Sequence, residues 1–299
     1  MSRTQNKPRP YWHVDAKWFS GICLLFLASF TFLIYILWKV SARPTGTTLL
    51  TTLLASSFSY QNGGLDADGD IKVMRAFIDA SPNGEWQPNP GLQITVHAED
   101  IEGMMPREVR MWFFRQIAEP LYDEGAQGLV GIVTDPEMQK GMQESVRPLG
   151  FVSAEMHGRL WNVLVVSGVV SLAFLVLLIF FSYRFGRIGS PGGVIFLAAV
   201  PGLLFWGALR GWLDRAAQNP PASEQEAIKL YTQLAVDVLP IIVQKALQVY
   251  TILFLIALGL IVIALIGTVF MRERKLRQEA VEGGEATPPG EAGEGTGTE

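Results

Sequence analysis

Cysteine, histidine and charge are all scarce in this chain. Of its 299 residues one is cysteine, three are histidine, and 17% are charged. The single thiol, Cys23, excludes an intrachain disulfide, and its place inside an apolar stretch is that of inert packing. The sequence contains no G-x-S-x-G, H-E-x-x-H, G-x-x-x-x-G-K-[ST] or C-x-x-C, so the familiar hydrolase, metalloprotease, nucleotide-binding and redox signatures are missing. These gaps point away from an enzyme and from a bound cofactor.

What fills the chain is apolar. Hydrophobic residues make up 49% of it and the mean hydropathy is +0.26, higher than for an ordinary soluble domain. They concentrate in four runs, Trp18 to Trp38, Leu160 to Ser182, Gly192 to Leu213 and Val249 to Phe270. Each run reaches the roughly 20 helical residues that cross a hydrocarbon core about 30 Å thick. Their central portions contain no Asp, Glu, Lys, Arg or His, and Arg210 lies close enough to one end to snorkel. Proton relays and ion pathways normally place ionisable groups there. The expected fold class is therefore mainly α, a four-span helical membrane protein.

The runs divide the chain. A basic N-terminus (1–17) precedes the first span (18–38). A large segment (39–159) separates it from the second span (160–182), a short turn (183–191) leads to the third (192–213), and a helical loop (214–248) leads to the fourth (249–270). Residues 271–299 end in "EAVEGGEATPPGEAGEGTGTE", too poor in bulky apolar side chains to fold, which predicts a disordered acidic tail. Val40-Ser41-Ala42 suits a signal peptidase, but the first run is bilayer-length with a tryptophan at each end, so it reads as an uncleaved anchor. Near the spans ten bases fall on the side of the termini and the 183–191 turn, against six on the other. That bias predicts an integral cell-membrane protein with cytoplasmic N- and C-termini and an extracytoplasmic 39–159 domain, although Lys39 and Arg43 stand on the minority side.

Residues 44–158 carry sixteen carboxylates and seven bases, a net charge of −9, which excludes nucleic acid as a partner. Within them "TTLLTTLLASSF" (47–58) reads as a short apolar helix resting on the membrane or on the other helices. "LQITVH" alternates like a half-buried strand. "PREVRMWFFRQIAEPLYDEG" puts Val109, Trp112, Phe113, Ile117 and Leu121 at helical spacing, with Pro120 expected to kink or end the helix. Asp135 and Pro136 predict the start of another helix. After the third span, Ser223 and Glu226 have the spacing of a capping box, opening a helix that Pro240 alone interrupts. The segment is expected to be helix-rich, with at most one small sheet.

Two clusters carry candidate chemistry. Asp66, Asp68 and Asp70 in "DADGD" alternate like the first half of a calcium loop, but Ile71 and Phe77 occupy the positions that such a loop gives to glycine and glutamate, so a solvated turn is the simpler expectation. "HAEDIE" sets His97 beside Glu99, Asp100 and Glu102 without a second source of ligands. Small residues at packing intervals, Ser167 with Ser171, Ala198 with Gly202 and Gly207 with Gly211, predict close helix contacts in the bundle, and Pro201 a kink.

In topology alone the four spans with a large loop after the first resemble the permease subunits of the cell-division and macrolide-exporter type. That resemblance implies a structured element between the second and third spans to couple with an ATPase. Residues 183–191 leave no room for one, so the likeness ends at topology. The function expected from the sequence is non-enzymatic binding or scaffolding through the extracytoplasmic domain. Its partners would be the lipid bilayer and other membrane subunits or an extracytoplasmic protein. The alternatives are a subunit of a transporter or channel complex and a surface enzyme using the acidic domain.

Overall fold

Residues 12–60, 63–183, 185–219 and 226–284 are described by a computed structural model. The four apolar runs lie within α1 (Trp12–Val40), α6 (Ala154–Phe181, with Ser182 as its C-cap), α7 (Gly186–Gln218) and α8 (Glu226–Gly284). All four are long and apolar enough to cross a membrane. Their outer faces carry Phe26, Val166, Phe180, Leu204 and Leu255, each more than half exposed, the surface expected against lipid and costly against water. The basic stretch before Trp12, Ser223 of the expected capping box and the acidic stretch from 285 lie outside the described residues.

The bundle is built from two helix pairs. Along α1 and α6, Leu24 and Ala28 pack on Leu178, and Thr31 and Ser171 share a hydrogen bond of 3.1 Å. Along α7 and α8, glycines set the approach. An added Cβ would stand 3.1 Å from that of Ala264 at Gly189, 3.0 Å from that of Leu260 at Gly192, and inside the Tyr250 ring at Gly202. Sequence reading put Gly186, Gly189 and Pro191 in the turn and began the third span at Gly192. The structure puts them in the first turns of α7, leaving only Ser182 to Phe185 as the link, because the missing side chains admit α8. Trp12 and His13 contact Phe181, and Phe185 lies against Gly267, so the start of α1, the link and the later part of α8 gather at one end of the bundle.

At the other end α2 (Arg43–Ser59) is buried on nearly every side between α4 (Pro106–Glu124) and α8. Its repeated threonines make this tolerable, since Thr47, Thr48, Thr51 and Thr52 each donate their hydroxyl to the carbonyl four residues back. Leu49, Leu50 and Ala55 then pack without an unsatisfied neighbour, and α2 rests on α4 and α8. Pro120 does not end α4, which continues to Glu124. The buried face of α4 is turned from the expected one: Arg110, Phe114, Ala118 and Tyr122 join Val109, Ile117 and Leu121, while Trp112 and Phe113 are half-buried.

A smaller cluster joins α3 (Gly69–Ala80) to β1 (Glu85–Trp86), β2 (Val96–His97) and α4 through Ile71, Met74, Ile78, Val96, Ile101 and Val109. The strand expected over "LQITVH" keeps its alternation, with Ile94 and Val96 buried and Gln93 and Thr95 exposed. Only its last two residues pair in the sheet, in the register Glu85 with His97 and Trp86 with Val96. The earlier part bonds elsewhere, Gln93 donating to the Ile132 carbonyl and Thr134 to that of Gly91. As expected, α5 (Pro136–Val146) is capped by Asp135, which accepts from the Glu137 amide.

One core joins the bundle to the segment between the first and second spans. Ile36 and Val40 of α1, Ala199 of α7, and Val238, Ala246 and Tyr250 of α8 belong to the same cluster as α2 and α4, so residues 44–158 do not form a body separate from the apolar helices. Close contacts at glycine should dominate detergent stability. Gly202→Ala, which drives a methyl into Tyr250, is expected to cost about 1–3 kcal/mol. Gly207→Ala, with nothing within 4 Å of the new atom, should melt with the wild type in thermal scans of the purified protein.

Candidate functional site

The aspartates of "DADGD" do not converge. Asp66 faces Arg107 at 3.5 Å, Asp68 pairs with Lys72 one turn along α3, and Asp70 pairs with Arg110 of α4. The Lys72 ammonium holds the Asp68 carboxyl below its usual value by hydrogen bond and charge. Each carboxylate therefore has its own cation, and among the described residues no group of His, Cys, Asp and Glu is arranged to hold a metal. The signal for α3 itself, Ile71, Met74 and Ile78 at helical spacing, sits directly behind the aspartates.

"HAEDIE" is a chain-turning device. The His97 amide donates to Asp100 at 3.1 Å, fixing the short 3₁₀ turn Ala98–Ile101, and the His97 ring lies 3.6 Å from Glu85 across the two-stranded sheet. His157 stacks on Trp38 with ring centres 5.2 Å apart and meets the Ser41 hydroxyl at 3.1 Å. Tyr122 donates to the Ser41 carbonyl at 2.6 Å, and these contacts tie the end of α1 to α4 and α6.

Of the expected packing residues, Ser167 and Ala198 are buried, Ser171 bonds to Thr31, and Gly202 lies against Tyr250 of α8. Gly207 and Gly211 do not meet another part of the chain, for nothing lies within 4 Å of an added Cβ at either. The spacing alone could not reveal this, because it repeats around a helix without saying which face has a partner.

The feature that sequence reading missed is Arg110. Its side chain is 3% exposed, one terminal nitrogen donates to the Leu65 carbonyl, the other pairs with Asp70, and Nε has no protein partner. A buried cation so held keeps its charge only with such acceptors around it. Arg110 and Asp70 line a pocket of about 220 Å³ between α2, α3 and α4, whose other walls include Phe58, Met74, Trp86 and Phe113. Phe58 is 64% exposed and stacks on Phe114 at 5.3 Å, so an aromatic ring stands at the open rim. A second polar contact lies nearby, where Asp237 of α8 accepts from Ser56 of α2 at 2.8 Å. Burial pushes that carboxyl, which precedes the apolar run at Val249, above the usual range.

The four apolar helices mark the chain as a multi-pass membrane protein with a polar structure built on one end of its bundle. Compared with known proteins, it matches no family model, no curated protein and no solved structure.

The ion pairs should rank by burial. Asp70→Asn leaves the Arg110 charge uncompensated inside the protein and is expected to destabilise by about 3 kcal/mol. Arg110→Met leaves only the partly exposed Asp70 alone and should cost less, while Asp68→Ala on the exposed pair should not move the melting temperature. Added Ca²⁺ should leave all four proteins where they are. A calcium-dependent rise that Asp68→Ala abolishes would show a metal site instead, because a ligand bound only by the native state stabilises it.

Proposed function

We propose that this protein works by binding, as a membrane-anchored scaffold whose 44–158 segment takes an apolar side chain of a protein partner into the Arg110 pocket. The observation that carries this reading is the pocket itself. At about 220 Å³ it is smaller than the roughly 300–1,000 Å³ of small-molecule sites, and aromatic rings surround it. It is of the kind that receives a single anchor residue at the centre of a protein interface. The net charge of −9 on this segment favours a partner with Lys or Arg around that anchor. The shared core supports the scaffold reading, since a partner held there pulls on α2, and α2 is packed against α8.

In this reading the segment is extracytoplasmic and both termini are cytoplasmic, following the distribution of bases. With Cys23→Ser as background, a membrane-impermeant maleimide added to intact cells should label Ser145→Cys and leave Ile188→Cys dark until the cells are opened. The reverse pattern would place the acidic segment in the cytoplasm.

The binding itself is tested by mild detergent extraction and affinity purification. Wild type should retain a protein partner that is lost at least about tenfold in Phe58→Glu, since a hot-spot truncation costs about 2 kcal/mol or more, and that elutes at raised salt. Equal recovery by wild type and variant, or no partner with either, sinks the proposal.

A further inference from the structure

On another side of the bundle α1, α6 and α8 enclose a groove of about 620 Å³. Phe32 of α1, Leu164 of α6, and Ile252 and Leu253 of α8 give it apolar walls, and Lys39 and Lys245 also line it. The two lysines stand at the same end. Lys39 immediately follows the first apolar run and Lys245 precedes the fourth, whereas Phe32 and Ile252 lie about two turns deeper along each helix.

The charge at that end is uncompensated. No Asp or Glu lines the groove, and among the described residues neither lysine forms an ion pair. Arg43, the next base after Lys39, is by contrast held by Asp123 through two hydrogen bonds of 3.0 and 2.7 Å. The Lys39 ammonium lies 5.3 Å from the Trp38 ring centre and 5.6 Å from that of Tyr35, the aromatic company of a group at the membrane interface. Two free cations above apolar walls, at the level where the spans end, match an anionic lipid in both halves.

We propose that this groove binds one anionic phospholipid, with its acyl chains along Phe32, Leu164 and Ile252 and its phosphate between Lys39 and Lys245. Lys39, which weakened the charge bias of the sequence, is then a headgroup ligand rather than a topological signal. The apolar walls contribute equally to any phospholipid, so the lysines set the preference for negative charge. At about fivefold per lysine near an anionic headgroup, the two give a preference of roughly 25-fold over a zwitterionic lipid with the same chains.

The test is native mass spectrometry of the full chain from detergent containing equal amounts of phosphatidylglycerol and phosphatidylcholine of identical acyl composition. Wild type should retain one phosphatidylglycerol with that preference, and Lys39→Gln/Lys245→Gln should retain the two lipids equally. The paired Arg variant should keep the preference, which separates lost charge from lost fold, and the melting temperature of the Gln variant without lipid should equal that of wild type. Glycerol phosphate at the same concentration should not raise the wild-type melting temperature, because the chains supply much of the binding. Equal retention of both lipids by wild type overturns the proposal, as does an unchanged preference in the Gln variant or an equal effect of glycerol phosphate.

Discussion

A helix buried on nearly every side must satisfy its own side chains, and α2 does so with threonine. Each of its back-bonded hydroxyls removes a polar group from the account and leaves a methyl for packing. Leu49 and Leu50 can therefore sit in the deepest part of the protein, with α4 on one side and α8 on the other. Through that helix the residues between the first and second spans share a core with α8. With it, α4 and α8 pack against the same helix, and the polar structure and the membrane helices share one core.

The same economy shapes the bundle. Where helices approach most closely the chain uses glycine, at Gly189, Gly192 and Gly202 along the α7–α8 seam, because any side chain there would displace Ala264, Leu260 or Tyr250. Gly46 plays the same part for α2, admitting the Tyr122 ring whose hydroxyl reaches the Ser41 carbonyl. Inside the assembly Arg110 meets Asp70 and the Leu65 carbonyl, and Asp237 meets Ser56, while Arg110 Nε and Trp38 Nε1 have no protein partner. Lys39 and Lys245, which form no ion pair among the described residues, lie at the boundary of the bundle, where water and headgroups are the natural counter-charge.

Much of this architecture was legible in the chain. Four apolar runs of bilayer length, free of charge at their centres, dictate four spanning helices whatever else the protein contains, since helices satisfy every backbone group internally. Capping chemistry also acts locally, so Asp135 with Pro136 marked a helix start that the structure keeps. "DADGD" straddles the start of α3, with Asp68 at its N-cap and Asp70 in its first turn, where each aspartate meets a different cation.

What the sequence could not decide was partnership. Periodicity says that one face of a helix is apolar, not which neighbour covers it, so Gly207 and Gly211 carried the same signal as Gly202 and only Gly202 meets another helix. Arg110 looks like any surface base until α3 and the Leu65 carbonyl close around it, and a charge can be buried only when tertiary structure brings its acceptors. The large segment reads as a separate domain because its composition differs from that of the spans, yet packing joins it to α8 through contacts between residues far apart in the chain. Local composition therefore determined the elements and their membrane character, while the core, the Arg110 pocket and the lysine groove exist only because distant elements meet.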